Sequence, residues 1–202
     1  MNFENGYGEK ELKKYLLDYF QKRNMKQSQI ALEYAEKMHQ GQTRKEGIPY
    51  IVHPMTMAKH ALMAGLTEDD LIAVVLLHDV CEDCGVEPEE LPVKENIQRG
   101  AGYMTCKQKE GETKQQAKER YYHQMEDCKE ACIVKVFDRC HNVSSMAQAF
   151  SREKMQSYIK ETRQYIFPLL ERNKEKYPEV ANVMWVLEYH LKSVIATIEK
   201  LL

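Results

Sequence analysis

Apolar residues recur three and four positions apart over most of the chain, the spacing of helices that each bury one face. Residues 9–22 carry Leu12, Tyr15, Leu16 and Phe20 in that register and predict an opening amphipathic helix. Ser28 can cap the next one, whose apolar positions are Ile30, Leu32, Tyr34, Ala35 and Met38, with His39 closing it and Gly41 as its stop. Residues 40–54 break the pattern with two glycines, two prolines and the basic pair Arg44-Lys45, and read as an irregular or hairpin-like loop. Pro54 suits the first position of a helix, which places His53 near an N-cap; that helix continues from Met55 to Ala64 and stops at Gly65. Thr67-Glu68-Asp69-Asp70 then opens a helix that takes in the apolar run Leu71 to Leu77 and ends at His78 and Asp79, with Gly85 following to terminate it. A short helix is expected within 86–97. Residues 98–116, with Gly100, Gly102 and Gly111, read as a mobile connection, and a helix resumes across Gln115 to Met125. Ala131 to Ala147 is again helical. Ser151 to Lys174 predicts a long helix that Pro168 should kink or interrupt, and Pro178 opens a last one. No run reads as a strong strand and no internal repeat is present. The expected fold is all-α, with at most a small hairpin near residues 43–51.

Composition alters this picture little. A chain of 202 residues can bury a proper core, and one domain over 1–202 is the natural expectation. A net charge of −2 gives no general attraction for nucleic acid or an anionic membrane, so an anionic ligand must be held by a local basic cluster. No apolar run approaches the length of a membrane span, and Met1-Asn2-Phe3-Glu4 lacks a signal-peptide pattern, so a cytoplasmic location is expected. Cys81 and Cys84 form a CxxC with no second pair at zinc-finger spacing, and reduced cysteines are expected. Residues 183–198 carry more apolar positions than one face requires, so a homo-oligomer interface competes there with ordinary core packing.

The chemistry concentrates where the greasiest run ends. His78-Asp79-Val80-Cys81-Glu82-Asp83 follows seven apolar residues directly and puts four ionisable groups within six positions. On a helix His78 and Glu82 are neighbours four apart, as are Asp79 and Asp83. Three carboxylates at the negative end of a helix dipole are unfavourable unless they serve a bound cation or a reaction. Asp138-Arg139-Cys140-His141-Asn142 also follows an apolar stretch, and Asp138 and Asn142 share a helix face. A helical bundle can bring such side chains to one interior point. His53, His78, Asp79 and Asp138 are therefore the candidate metal ligands, a set that suits a first-row divalent ion better than Mg²⁺. His39, His60, His123, His141 and His190 have no acidic neighbour in an apolar context.

Taken together, Gln40-Gly41-Gln42-Thr43-Arg44-Lys45 with Pro49-Tyr50-Ile51-Val52-His53-Pro54, then Leu76 to Asp83, then Asp138 to Asn142 resemble the hydrolase domain of RelA/SpoT-type alarmone enzymes, within the HD metal-dependent phosphohydrolase superfamily. The likeness covers residues 28–170, with the C-terminal helices expected to pack onto it. It implies an HD-type helical bundle acting as a stand-alone small alarmone hydrolase, the synthetase domain of long members having no room here. The resemblance further implies one Mn²⁺, or another divalent first-row ion, held by His53, His78, Asp79 and Asp138. Glu82 and Asp83 would be the catalytic acids. Arg44 and Lys45 would flank a guanine base with Tyr50 nearby, Asn142 would touch the nucleoside, and Lys154 and Tyr158 would hold phosphates. Arg139, with Lys45 and Lys154, would offset phosphate charge, and His39 would support the site. The implied reaction is hydrolysis of the 3′-pyrophosphate of (p)ppGpp to GDP or GTP and pyrophosphate. Met104-Thr105-Cys106-Lys107 stands where the family has a Val-Thr-Lys stretch, and Cys84 where it commonly has threonine. A hydrolase of another nucleotide, or a silent nucleotide-binding module, are the alternatives.

Overall fold

The structure, a computed structural model, describes residues 8–202; the polar N-terminal stretch Met1–Glu4 lies outside them. The described chain is helical, as expected, and its single isolated β-bridge pairs Thr43 with Pro49. Around that bridge Arg44 N–H donates to the Ile48 carbonyl at 2.9 Å, and Gly47 turns the chain at φ +83°. This is the small hairpin that the glycines and prolines announce. Among the described residues no helix is long and apolar enough to cross a membrane. The chain divides into two compact units, one ending at Val134 and one running from Lys135 to Leu202.

In the first unit, α1 (Glu9–Arg23) buries Leu12, Leu16 and Phe20, and is followed by α2 (Lys26–Met38), α3 (Val52–Met63) and α4 (Asp69–Leu77). All seven residues from Leu71 to Leu77 are buried, which only a helix covered on every side can satisfy. The cover comes from α2, α3 and α6 (Glu95–Tyr103). The α2–α4 contact is also polar. Ser28 does not cap α2, which begins at Lys26; the capping acceptor is Asp69, the first residue of α4. Its carboxylate receives Gln27 N–H at 3.0 Å, Ser28 N–H at 2.8 Å and the Ser28 hydroxyl at 2.7 Å. Orphan donors at a helix start are thus satisfied from 41 residues away, with the charge at the favourable end of the dipole. Asp69→Ala removes all three bonds and leaves Ser28 buried, so an urea-unfolding loss of about 2–3 kcal/mol is expected, more than an ordinary exposed cap contributes.

Two expectations fail in this unit. Residues 98–103 are not part of a mobile connection but belong to α6, which begins at Glu95. A Cβ on Gly100 would lie 2.8 Å from Val74 Cγ2, and one on Gly102 3.0 Å from Pro88 Cγ. The glycines that lower helix propensity are thus the ones that let α6 approach the core. After it, Arg120 grips Glu112 at 2.7 and 2.8 Å, and together with the Lys109 N–H holds that carboxyl down at about 2. Helix α7 (Lys114–Met125) starts from a Thr113–Gln116 capping box. The second failure is in the spacing of four across His78 to Asp83. No one helix carries it: α4 stops at Leu77, the chain turns at His78 and Asp79, and it restarts as the single turn α5 (Val80–Asp83). Asp79 sits at φ −102°, ψ −8°, in the bridge region.

Helix α8 (Lys129–Ala149) runs through the division at 134/135. Within the second unit, α9 (Arg152–Glu161) is capped by Ser151. A π-helical turn over Thr162–Ile166 leads into α10 (Phe167–Lys176), with Pro168 in its first turn. The expected interruption at Pro168 therefore takes the form of a widened turn just before it, where the missing N–H matters least. A 3-10 turn at Pro178–Val180 opens α11 (Ala181–Leu201), which packs on α10. Lys174 bridges the two, 2.8 Å from Glu188.

Candidate metal centre

The turn between α4 and α5 aims three ligand-type atoms at one another. His78 is wholly buried, and its Nδ1 lies 2.8 Å from the Val75 carbonyl. A carbonyl only accepts, so Nδ1 carries the proton and Nε2 presents a lone pair. That carbonyl is the one an unbroken helix would offer to the Asp79 N–H. The imidazole has taken it, and the chain turns there. His78 Nε2 is 2.8 Å from Asp79 Oδ2 and 3.2 Å from His53 Nε2, which in turn is 3.6 Å from the same oxygen. His53 comes from the first turn of α3 and is 1 % exposed.

A lone pair on neutral His78 facing a carboxylate oxygen is repulsive unless a cation or a proton stands between them. First-row divalent ions bind such atoms at about 2.0–2.2 Å, which separates neighbouring ligand atoms by about 2.8–3.5 Å. Two of the three spacings fall in that range and the third, 3.6 Å, lies just beyond it, and the Nδ1–carbonyl bond is the usual device for fixing a ligating imidazole. The donor set therefore suits a divalent metal.

The loop of residues 40–50 braces the carboxylate. Tyr50 donates its hydroxyl to Asp79 Oδ2 at 2.7 Å, with the Asp83 carboxylate nearby. Burial, reinforced by both carboxylates, pushes the Tyr50 hydroxyl far above its ordinary range, so it remains a donor. Its ring stacks on His39 at 4.6 Å between centroids. His39, 3 % exposed, is held through Nδ1 by Gln42 Oε1 at 2.8 Å, and the Gln42 amide reaches Cys84 Sγ at 3.6 Å. Cys84 in turn lies 3.5 Å from the Met38 carbonyl. His39 thus stacks on the tyrosine that donates to Asp79. The part played by Gln42 and by the Val75 carbonyl has no residue-type signal in the sequence.

Glu82 and Asp83 are exposed on α5, and Asp83 N–H donates to the Asp79 carbonyl at 2.8 Å. Arg44 and Lys45 lie at the hairpin turn, Arg44 with its Nε 3.6 Å from Glu46 and Lys45 exposed. In the second unit, Asp138 on α8 is buried, with Lys135 Nζ at 3.1 Å and the Asn142 amide at 2.5 Å, so the expected shared face of Asp138 and Asn142 is observed. Arg139 is 2 % exposed and paired with Glu161 at 2.6 Å, its guanidinium 3.8 Å above the Tyr158 ring. Lys154 stands 4.0 Å over Phe150, which meets Tyr158 edge-on. Burial raises the Tyr158 hydroxyl above its usual range. Lys135 and Glu161 were not singled out by the sequence; Lys135 is legible in hindsight as the basic residue three before Asp138.

Comparison with known proteins bears on these blocks. The guanosine-3′,5′-bis(diphosphate) 3′-pyrophosphohydrolase of Aquifex aeolicus is 32 % identical over 174 residues, 81 % of this chain and 24 % of that protein. The protein of the same name from Spiroplasma citri is 32 % identical over 162 residues, 73 % of this chain and 21 % of its own length. The chain thus spans about a quarter or less of the length of these relatives. Among solved structures, a metazoan ortholog of SpoT, described as hydrolysing ppGpp and playing a role in starvation responses, superposes with a TM-score of 0.65 at 20 % identity. That match covers 85 % of this chain and 94 % of the other, and at such identity it is a likeness of fold. The family model for the HD domain matches residues 31–176, nearly the span that the motif blocks outline, and the chain belongs to the HD domain family.

Proposed function

We propose that the chain hydrolyses the 3′-pyrophosphate of guanosine tetra- or pentaphosphate, releasing GDP or GTP and pyrophosphate. One observation carries the reading: His53, His78 and Asp79 converge with spacings of 2.8–3.6 Å, one turn before two further carboxylates, in a chain similar over most of its length to proteins named for this reaction. On this reading His53, His78, Asp79 and Asp138 hold one Mn²⁺. Such an ion, when bound, lowers the pKa of water toward neutrality and offsets phosphate charge. Glu82 and Asp83 take the proton of the attacking water and return one to the departing 3′-oxygen, as the bond between that oxygen and phosphorus breaks. Arg44 lays its planar guanidinium on the purine, Lys45 flanks it and Tyr50 closes the base side while bracing Asp79. Asn142 contacts the nucleoside, and Lys154, Tyr158 and Arg139 serve the phosphates, Arg139 by holding the Tyr158 ring beneath it. Residues 1–202 act as one HD-type domain in the cytoplasm, on a small guanine nucleotide.

The test is direct. Purified protein with Mn²⁺ is expected to release pyrophosphate from ppGpp faster than it attacks nucleoside monophosphates or a phosphorylated dinucleotide cofactor. Arg44→Ala should depress only substrates whose base stacks there. A folded protein that turns over ppGpp with none of several divalent metals would overturn the reading, and turnover of another nucleotide in preference would transfer the chemistry to that substrate.

A further inference from the structure

We infer that Gln42 and Cys84 are positioning residues: through His39 and Tyr50 they fix the orientation of the Asp79 carboxylate, and with it the affinity of the centre for a divalent cation. The inference rests on the reading of Asp79 as a metal ligand and on nothing about the nucleotide. Gln42 is bonded to both members of the stacked ring pair His39 and Tyr50. Its N–H donates to the His39 carbonyl at 3.0 Å, its carbonyl accepts the Tyr50 N–H at 3.0 Å, and its side-chain Oε1 lies 2.8 Å from His39 Nδ1. Tyr50 passes the hold on in two directions. Its carbonyl accepts the His53 N–H at 2.9 Å, and its hydroxyl donates to Asp79 Oδ2 at 2.7 Å. Only Tyr50 therefore stands between Gln42 and two of the candidate ligands.

The side chains matter because the last joint of this chain is soft. The terminal torsion of an aspartate is broad, so its carboxylate swings unless something holds an oxygen. Here the oxygen that takes the Tyr50 hydroxyl is the one 2.8 Å from His78 Nε2. The phenol can hold it only while its own ring is held. His39 covers one face of that ring, 4.6 Å between centroids with 23° between planes, and His53 meets it edge-on at 6.0 Å. The plane of His39 is set in turn by Gln42 at Nδ1, and His39 is buried, so solvent is no substitute for that bond. Cys84 holds the other end of the Gln42 amide. The Met38 carbonyl, 3.5 Å from Sγ, can only accept, so the thiol donates there and offers its lone pair to the Gln42 amide at 3.6 Å. The donors then run one way, from His39 through Gln42 and Cys84 to the end of α2. Cys84 is also the residue that closes α5, the turn that starts from Asp79. The circuit of contacts therefore begins and ends at the same carboxylate, a closure that filling space alone does not require.

Calorimetric titration of the full chain with Mn²⁺, with no nucleotide present, tests this. Gln42→Met, of nearly equal length but with neither donor nor acceptor, should raise the Mn²⁺ dissociation constant about 10-fold, the low end for partners that orient a ligand from outside. Tyr50→Phe should raise it by as much or more. The double variant should bind no more weakly than Tyr50→Phe alone, since Gln42 acts through that hydroxyl; a role in packing would add the two losses in full. Cys84→Val should weaken binding in the same direction, and Cys84→Ser, which keeps a donor and an acceptor, should restore most of it. Should Gln42→Met fail to fold, Cys84→Val alone and combined with Tyr50→Phe reads the same circuit from its other end. A folded Gln42→Met that binds Mn²⁺ as the native chain does, or a loss that adds in full to that of Tyr50→Phe, would overturn the inference. Native affinity in Cys84→Val would overturn it for the sulfur. A native chain that binds no Mn²⁺ removes the metal reading and the inference with it, whereas failure to turn over ppGpp bears on neither.

Discussion

Asp79→Ala is expected to cut pyrophosphate release at least about 10³-fold, the loss that follows when several kcal/mol of metal-supplied stabilisation go. It is also expected to erase metal-dependent stabilisation without harming the metal-free protein, and this second readout is the sharper one. In the native chain Asp79 Oδ2 faces the His78 Nε2 lone pair at 2.8 Å, a contact that helps the fold only when a cation or proton lies in it. Removing the carboxylate relieves that repulsion. Tyr50 loses its acceptor there, and the cost of that lost hydrogen bond, about 1 kcal/mol, offsets the relief. The metal-free variant should therefore unfold within about 1 kcal/mol of the native chain, as substitutions away from the core do. With Mn²⁺ at 100 times its dissociation constant, the native chain should gain about 2.7 kcal/mol. For a chain of this size that is about 5–10 °C in Tm. Asp79→Ala should show none of the gain, and a chelator should bring the native chain down to the same midpoint. A variant that keeps both the Mn²⁺ shift and turnover would remove Asp79 from the site.

Much of this centre is legible in residue types, and the remainder depends on contacts between distant segments. The buried run Leu71 to Leu77 announces a central helix because no partly exposed element could carry it, and His78-Asp79 marks where it must end in something polar. What the run cannot announce is the break itself. Spacing of four predicts that His78 and Glu82 continue one helix face, whereas the His78 ring takes the Val75 carbonyl and sends the chain through a turn. The ligand geometry is a product of that local competition between a side chain and the backbone. Ser28 is misread for a related reason: it looks like a cap, but the acceptor that satisfies the start of α2 belongs to Asp69, which only the packing of α4 brings near. Gly100 shows the opposite failure. Its low helix propensity suggests a loose connection, and the requirement for a bare Cα against Val74 is visible only once α4 and α6 are packed. His39 could be ranked as a support from its place before the glycine loop, but its stack on Tyr50 needs the hairpin to fold back.

Asp83→Asn is expected to lower kcat by about 10²–10⁴ while leaving the Mn²⁺-dependent rise in Tm intact, the signature of a proton-transfer group rather than a ligand. Two contacts set Asp83 apart from Glu82. Its N–H donates to the Asp79 carbonyl at 2.8 Å, so α5 fixes the two acids to each other, and its carboxylate lies near enough to the Tyr50 phenol to help push that hydroxyl's pKa up. A carboxylate tied in this way stays beside the ligand set without entering it. Glu82, exposed on the same turn, has the longer side chain and the farther reach, and is the acid assigned to delivering a proton to the departing oxygen. The pH profile separates the roles. A general base must be deprotonated, so kcat/KM falls as pH drops through its pKa; Asp83→Asn should lower the plateau and flatten that acidic limb. A general acid must be protonated, so Glu82→Gln should flatten the alkaline limb instead. Exchange of the two limbs between the variants would reverse the assignment. If both variants keep more than half of the native kcat, neither acid moves the proton, and the chemistry must be sought among the groups that hold the phosphates.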